Sequence, residues 1–267
     1  KLLIWREQGL GDEIEFSTCL KDLESFNMEI ILECDARLVN IYKRTFPSFT
    51  VRPESIKEDY FPTHSDFDFQ CAIGSLPKLF RNQIEDFTKY KFEFNISSDR
   101  REEFKNRLMS FRDKKLIGIS WRSGTLQIGR NSNYSALKDW HELLTNKKYH
   151  FVNLQYSDCE AEISELENLL NIKIIRWPDL DLKNDLEGVL GLIKNLDAVV
   201  TVGNAVSSLA GASSVNTILL SKRSWMQLGQ LESYPWFACV KPIVVDNNDL
   251  IASKIHAVPE TLDQMFD

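Results

Sequence analysis

Short apolar segments alternate with amphipathic helical segments along the whole chain. The segments predicted to be strands are Leu2–Trp5, Glu29–Cys34, Thr50–Arg52 and Phe69–Ile73 in the first half, and Leu116–Trp121, Phe151–Gln155, Ile172–Arg176, Ala198–Val202 and Thr217–Leu220 in the second. Several of the later ones are continuous apolar runs, as expected where helices cover both faces of a parallel sheet. The alternation predicts βαβ units and therefore an α/β fold.

Helical periodicity fills the spaces between these strands. In the second half it covers Ala136–Thr145, Cys159–Leu170, Asp185–Leu196 and Val206–Ala212. A charged helical stripe over Asp99–Arg112 leads out of the first half, so we place a domain boundary at the charged stretch 112–115. This predicts two Rossmann-like parallel-sheet domains, 1–113 and 114–247. The remaining segment, 248–267, has a helical pattern that Pro259 must kink or divide.

Composition narrows the class of protein. The chain has 267 residues, of which 43% are hydrophobic and 27% are charged, as in a globular protein. Its net charge of −7 argues against non-specific binding of nucleic acid or of anionic membranes. No apolar run approaches the roughly 18 residues that span a bilayer, and there is no signal-peptide pattern. Five scattered cysteines and four dispersed histidines indicate neither a disulfide framework nor a metal site, which favours the cytoplasm.

A chain that starts with Lys1 at the edge of a strand indicates that an N-terminal segment has been removed.

The first candidate for chemistry is the turn Gly9-Leu10-Gly11-Asp12, directly after the first strand. Glycines let the backbone turn tightly, and the helix that follows offers free N–H groups. Asp12 is either a capping residue of that helix or a carboxylate pointed towards a ligand at the carboxyl ends of the strands. The dinucleotide-binding fingerprint would need a third glycine where Ile14 stands, so a nicotinamide or flavin enzyme is disfavoured.

A second candidate is Ser120-Trp121-Arg122-Ser123-Gly124, which ends the first strand of the second half and is followed by Arg130. A glycine-containing loop with two arginines suits a diphosphate, because guanidinium groups pair with phosphate oxygens in a fork. The alternative is a solvated loop whose arginines face water.

The third candidate is the small-residue segment Gly203–Ala212, after the strand Ala198–Val202. A strand, a small-residue turn and a helix start can form an anion site from backbone N–H groups, with Asn204 and Ser207 near the ligand. Close helix packing is the alternative, and both can hold. Gln155 and Tyr156 close another strand and could contact the edge of a base. The aromatic residues Trp225, Tyr234, Trp236 and Phe237 are more typical of a core than of a sugar platform.

These motifs, in this order, resemble a known family. The string Trp5-Arg6-Glu7-Gln8-Gly9-Leu10-Gly11-Asp12-Glu13-Ile14 resembles the opening of glycosyltransferase-like domains that follow tetratricopeptide repeats in bacterial proteins. Those domains are related to the heptosyltransferases and, more distantly, to O-GlcNAc transferase. The likeness continues through 118–124, 130–131, 152–156, 178–183, 204–206, 209–212 and 234–236, and so extends over nearly the whole chain.

The resemblance implies the GT-B architecture, in which two Rossmann-like domains face a cleft and a final helix, here about 248–267, packs back on the first domain. It implies an inverting, metal-independent glycosyltransferase without a cofactor, which takes its sugar from a nucleotide-diphosphate donor. The acceptor would be a protein or a glycan, with a repeat module N-terminal to this chain as a further partner. By the same likeness Asp12 is the general base. The residues assigned to the nucleotide sugar are Gly11, Ser120, Arg122, Ser123, Gly124, Arg130, Gln155, Asn204, Ala205, Ser207 and Ser208.

One loop departs from the heptosyltransferase pattern. Where this chain has Gly203-Asn204 and Ser208, heptosyltransferases usually carry an aspartate and a threonine, then a histidine. This departure motivates the alternative of a non-catalytic module that binds a nucleotide or a glycan, or serves as a scaffold. An epimerase of the same fold would need acidic and histidine groups that the sequence does not place.

Overall fold

The computed structural model describes residues 1–55, 65–123 and 133–266. The chain divides into two compact units, Lys1–Ser97 and Ser98–Asp267. Each unit contains one sheet with helices between its strands, and every strand pair in the described residues is parallel. The predicted α/β fold of two parallel-sheet units is confirmed.

The first unit has a four-stranded sheet in the order β3-β2-β1-β4. Its elements are β1 (Leu2–Trp5), α1 (Leu10–Phe16), α2 (Leu20–Leu23), β2 (Ile30–Cys34), α3 (Val39–Thr45), β3 (Thr50–Pro53), β4 (Phe69–Ala72) and α4 (Leu76–Phe80), with short 3-10 helices at Ser17–Cys19, Ala36–Leu38, Ile73–Ser75 and Ile84–Thr88. β1 pairs with a neighbour on each side, and its successive residues Leu3 and Ile4, which point to opposite faces of the sheet, are both fully buried.

The second unit has a six-stranded sheet in the order β10-β9-β8-β5-β6-β7. Its elements are α5 (Ser98–Arg107), β5 (Lys115–Ser120), α6 (His141–Leu144), β6 (Tyr149–Asn153), α7 (Glu160–Leu170), β7 (Ile174–Ile175), α8 (Leu186–Ile193), β8 (Ala198–Val202), α9 (Ala205–Ala212), β9 (Thr217–Lys222), β10 (Val240–Val245) and α10 (Val258–Phe266), with 3-10 helices at Met109–Phe111, Leu137–Trp140, Trp225–Gln227 and Ile251–Ala257. Ile117 and Ile119 of β5 and Val200 of β8 lie in its core.

Each of the nine predicted strands is present, and β10 is the strand that the sequence analysis missed. β10 contains Pro242, which has no N–H to donate to a sheet ladder. In the structure β10 pairs with β9 alone, at the edge of the sheet, where a proline is tolerated.

Helix α5 belongs to the second unit, whereas the sequence analysis placed its residues in the first domain. It packs closely on α8: an added Cβ at Gly191 would lie 2.6 Å from the Arg100 carbonyl oxygen. The Phe104 ring meets the Trp177 ring edge-on at 5.7 Å, and Arg107 pairs with Asp179 at 2.7 Å. The charged pattern indicated a surface helix but did not show which sheet it covers.

Replacing Gly191 by alanine is expected to lower the free energy of unfolding of the second unit by about 1–3 kcal/mol, because the new methyl group overlaps the backbone of α5. The helix preference of alanine over glycine, about 1 kcal/mol, acts in the opposite direction and is the smaller effect. Urea denaturation measures the difference. Gly203→Ala is the control, since an added Cβ there meets nothing within 4 Å. A Gly191→Ala protein more stable than the wild type would show that α5 moves away freely.

The C-terminal segment is divided as Pro259 predicted, since Pro259 is the second residue of α10 after a 3-10 helix. Ile255 and Leu262 of this segment lie in the core of the second unit, and Tyr149 donates a hydrogen bond of 2.6 Å to Asp263. The packing of 248–267 on the first domain stays a prediction. Across the described ranges, none of the helices has the length and apolar character needed to cross a membrane.

Candidate functional site

The loops that follow β5 and β8 leave the second sheet side by side. Numbered within this unit, the strands stand in the order 3-2-1-4-5-6, because β5 lies between β6 and β8. In sheets of this order ligands bind outside the carboxyl ends of the strands, where the order reverses. Two of the predicted motifs, 120–123 and 203–208, lie at that point.

Asn204 connects these two loops. Its side-chain oxygen accepts a hydrogen bond of 2.9 Å from the Val206 N–H, which caps α9. Its amide nitrogen donates to the Ser120 hydroxyl at 2.9 Å and to the Arg122 carbonyl oxygen at 3.1 Å. One side chain therefore starts the helix after β8 and holds the loop after β5.

Gln155 holds the same loop from the side of β6. Its side-chain oxygen accepts from the backbone N–H groups of Trp121 and Arg122, each at 3.0 Å. Its amide nitrogen donates to the Arg122 carbonyl oxygen and to the Ser157 hydroxyl, again at 3.0 Å. The Gln155 side chain is 1% exposed. Its amide is thus engaged with the protein, whereas the sequence analysis placed it at the edge of a base.

The predicted binding residues of the chain separate into two groups by exposure. The buried group is Ser120, Gln155, Ser207 and Ser208. The partly exposed group is Gly11, Arg122, Ser123, Asn204 and Ala205. Gly124 and Arg130 lie outside the described residues. A buried side chain does not reach a ligand unless it moves, so the first group shapes the loops and the second presents atoms to solvent.

The Arg122 guanidinium is held within the protein. It forms an ion pair with Glu162 of α7 and donates a hydrogen bond of 2.8 Å to the Asp158 carbonyl oxygen. Its central carbon lies 5.5 Å from the centre of the Trp121 ring. A phosphate that binds Arg122 must therefore compete with the Glu162 carboxylate.

In the first unit, the loops after β1 and β4 are joined by Glu7. Its carboxylate accepts a hydrogen bond of 3.0 Å from the Gly74 N–H. An added Cβ at Gly74 would overlap this carboxylate, so a glycine is needed for the approach. β1 lies between β2 and β4, so the strand order reverses here as it does in the second unit.

The turn from β1 to α1 combines an unusual backbone with a helix cap. The residue in the left-handed region is Gln8, with φ 63°, whereas Gly9 has φ −83°. Asp12, in the first turn of α1, accepts the Gly9 N–H at 3.1 Å. The Asp12 side chain is partly exposed. The N-cap of α1 is Gly9 and not Asp12, which accepts the Gly9 N–H from the third position of the helix. The catalytic role of Asp12 stays a prediction.

A buried group of charges lies behind this turn. Glu13 is fully buried and pairs with Arg6 at 2.7 Å, while one of its oxygens accepts the Asp35 N–H at 3.1 Å. Arg6 also pairs with Glu54 at 2.5 Å and lies 3.7 Å from an Asp35 oxygen. Burial raises the pKa of Glu13 to about 7, and the attraction of Arg6 opposes that rise. These contacts join the segments that follow β1, β2 and β3 to α1.

The sequence analysis missed this ion network. Arg6 and Glu54 are separated by 48 residues, so spacing along the chain carries no sign of their contact. The available signal was a pair of opposite charges, Arg6 and Glu13, on either side of a strand-to-helix turn.

The chain is similar in sequence to a known bacterial protein. No family model matches the chain. Protein FlbA of Caulobacter vibrioides is 31% identical over 259 residues, which is 92% of this chain and 43% of FlbA. The chain thus spans less than half the length of that relative.

Several solved glycosyltransferases are similar in structure. A glycosyltransferase of family 9 from Veillonella parvula superposes with a TM-score of 0.66 over 98% of this chain and 97% of its own, at 10% identity. The ADP-heptose lipopolysaccharide heptosyltransferase II of Escherichia coli gives 0.63 over 99% and 98%, at 13% identity. The E. coli heptosyltransferase WaaC, solved with ADP, gives 0.54 over 99% of each chain, at 12% identity. The chain has the fold of the family 9 heptosyltransferases.

Proposed function

We propose that this chain is a glycosyltransferase domain that moves a sugar from a nucleotide-diphosphate donor to a protein or glycan acceptor, with inversion and without a metal. The observation that carries the proposal is the pair of joined loops after β5 and β8, at the point where the strand order reverses, in a chain with a glycosyltransferase fold. Such a point is where open α/β sheets bind nucleotides.

The second unit binds the donor. The amino end of α9 and the Arg122 guanidinium lie on the two joined loops, and both favour an anion. Arg122, Ser123, Asn204 and Ala205 present the contacting atoms, while the buried Ser120, Gln155, Ser207 and Ser208 keep the loops in place. Preorganised donors of this kind stabilise the negative charge that grows on a leaving diphosphate.

The first unit activates the acceptor. The acceptor hydroxyl oxygen attacks the anomeric carbon, and the bond from that carbon to the diphosphate oxygen breaks with its electron pair on the diphosphate. The hydroxyl proton passes to the Asp12 carboxylate, which acts as general base. The Gly9 N–H orients this carboxylate. Arg6 and Glu13 fix the helix that carries it.

The direct test is turnover with a panel of nucleotide sugars. ADP sugars are tried first, because the heptosyltransferase neighbours act on ADP-heptose or were solved with ADP. Release of nucleoside diphosphate is followed with water, oligosaccharides and peptides as acceptors, and calorimetry measures binding of the free nucleoside diphosphates. Turnover of one donor class supports the proposal. Absence of both binding and turnover across the panel contradicts it.

Two observations favour a non-catalytic binding module as the second candidate. Arg122 is already paired with Glu162, and Gly203 and Ser208 replace residues that heptosyltransferases usually carry. Nucleotide binding without release of product from any donor would support this candidate. The tetratricopeptide module that the resemblance implies belongs to either candidate as a means of presenting the acceptor.

Replacing Glu162 by glutamine is expected to tighten the binding of nucleoside diphosphates and of pyrophosphate about two- to fivefold, the range of a partly exposed ion pair. The reason is that Arg122 loses its competing carboxylate. Calorimetry at two salt concentrations measures the change. Glu165→Gln removes the same charge from an exposed position on α7 and is the control. Equal affinities of the wild type and Glu162→Gln would show that Arg122 stays on α7 and does not contact the diphosphate.

A further inference from the structure

Four aromatic residues after β9, which the sequence analysis treated as one cluster, differ in their exposure to solvent. Tyr234, Trp236 and Phe237 are 7%, 4% and 4% exposed, as expected of core residues. Trp225, in the same group, is 58% exposed. A tryptophan carries a large apolar surface, and leaving it in water forgoes the stabilisation that its burial would bring.

The backbone around Trp225 is held in place from both sides. The buried Gln227 accepts the Ser224 N–H at 3.0 Å and donates to the Ser221 hydroxyl at 2.8 Å. The Trp236 ring nitrogen donates to the Met226 carbonyl oxygen at 3.0 Å. The exposed indole therefore lies on a turn whose backbone is fixed by hydrogen bonds to buried residues of the second unit.

Trp225 also lies at the edge of the sheet where the candidate site is. β9 pairs in parallel with β8, with Leu220 opposite Val202, so the segment after β9 leaves the sheet beside Gly203 and Asn204. Neighbouring strands are about 4.8 Å apart. A nucleoside diphosphate is longer than this spacing, so the base of a nucleotide whose phosphates lie at the amino end of α9 extends over a neighbouring loop.

The loops after β6 and β9, on the two sides of the candidate site, differ in the side chains that they expose. On the side of β6, the Gln155 amide is buried and Tyr156 shares a hydrogen bond of 3.1 Å with Ser123. On the side of β9, the large indole of Trp225 is mostly exposed to solvent. Bases stack on such faces irrespective of their identity, because every base has a π-face.

We propose that Trp225 is the base-stacking residue of the nucleotide site in the second unit. This inference rests on the proposed function, since it assumes that the unit binds a nucleoside diphosphate. Trp225 then raises the affinity for the base without selecting among bases, and contacts with the diphosphate are separate from it.

The experiment compares nucleoside diphosphates with inorganic pyrophosphate, which has no base. Calorimetry is run with ADP, UDP, GDP, CDP, TDP and pyrophosphate on the wild type, Trp225→Ala and Trp225→Phe. Trp225→Ala is expected to weaken the nucleoside diphosphates about 5- to 150-fold, the range for loss of one stacked base, and to leave pyrophosphate unchanged. Trp225→Phe, which keeps an aromatic face, retains most of the affinity.

Two further variants make the result specific. Leu231→Ala removes another exposed apolar side chain of the same segment and is expected to bind as the wild type does. Tyr156→Ala tests the opposite side of the site. Circular dichroism and thermal unfolding of each variant show that it is folded, and Trp225→Phe keeps the test valid if Trp225→Ala is unstable.

The inference is overturned if Trp225→Ala binds nucleoside diphosphates as well as the wild type does, if it loses pyrophosphate to the same extent, or if Tyr156→Ala has the larger effect. Loss of affinity for the intact nucleotide sugar alone also overturns it, because the indole would then stack on the sugar. A wild type that binds neither nucleoside diphosphate nor pyrophosphate contradicts the proposed function itself, which is a different result from binding that Trp225 does not influence.

Discussion

Replacing Asp12 by asparagine is expected to lower kcat by about 10²- to 10⁴-fold, the usual contribution of a general base. The side chain keeps its size, and its amide oxygen can still accept the Gly9 N–H, so the cap on α1 is retained. What is lost is the ability to take up a proton. Binding of nucleoside diphosphates is expected to be unchanged, because Asp12 lies in the first unit and the donor is assigned to the second.

Steady-state release of nucleoside diphosphate measures the change in kcat, and calorimetry measures binding. Asp139→Asn is a matched control. Asp139 accepts the Ala136 N–H at 2.9 Å, the same contact between residues three apart that Asp12 makes with Gly9. Full turnover by Asp12→Asn would remove Asp12 from the mechanism and leave it as a capping residue.

Replacing Arg6 by methionine is expected to lower the free energy of unfolding of the first unit by about 3–5 kcal/mol at pH 8.5, the usual cost of removing one partner of a buried ion pair. Methionine fills much of the space of the arginine stem but leaves Glu13, Asp35 and Glu54 without its charge. Glu13 accounts for most of the lost free energy of unfolding, because its carboxylate is fully buried.

The loss is expected to grow with pH. In the wild type the pKa of Glu13 is raised from 4.5 to about 7. A raised pKa in the folded state contributes stability that is complete below the unfolded value and is lost as the pH rises through the folded value. Without Arg6 the pKa of Glu13 rises further, so the variant continues to lose stability above pH 7 after the wild type has stopped. The gap between the two proteins therefore widens from pH 6 to pH 8.5.

Urea denaturation at the two pH values, with hydrogen exchange of peptides from residues 1–55, measures this gap in the first unit. Lys21→Met is the control, because the Lys21–Glu24 pair is exposed at the surface and is expected to contribute less than about 1 kcal/mol. Equal destabilisation by Arg6→Met and Lys21→Met, or a gap that does not change with pH, would contradict a buried network centred on Arg6.

Much of the fold could be predicted because its signals are local. Buried parallel strands are continuous apolar runs, and the predicted strands Leu2–Trp5 and Ala198–Val202 match the structure at both ends. Pro259 divided the last helix where its missing N–H requires. The sequence analysis did not predict β10, which contains Pro242. A proline is tolerated there because β10 is at the edge of the sheet, and the sequence does not say which strand is outermost.

The meeting of the two loops could be predicted, but the contacts of their side chains could not. The motifs at 120–123 and 203–208 end neighbouring strands, so their meeting follows from the parallel order of β5 and β8. The contacts of each side chain do not follow from the strand order. Gln155 and Ser207 have the residue types of ligand contacts, yet both are buried, and their hydrogen bonds go to the protein.

The sequence by itself determined the alternation of strands and helices, the two turns at strand ends and the placement of Asp12 in the first turn of α1. These features depend on the backbone preferences and periodicity of residues close together in the chain. Only the tertiary structure decided that α5 joins the second unit, that Arg6 meets Glu13 and Glu54, and that Trp225 is exposed while Trp236 is buried. Burial and ion pairing depend on which distant segments the fold brings together, and residue type alone does not carry that information.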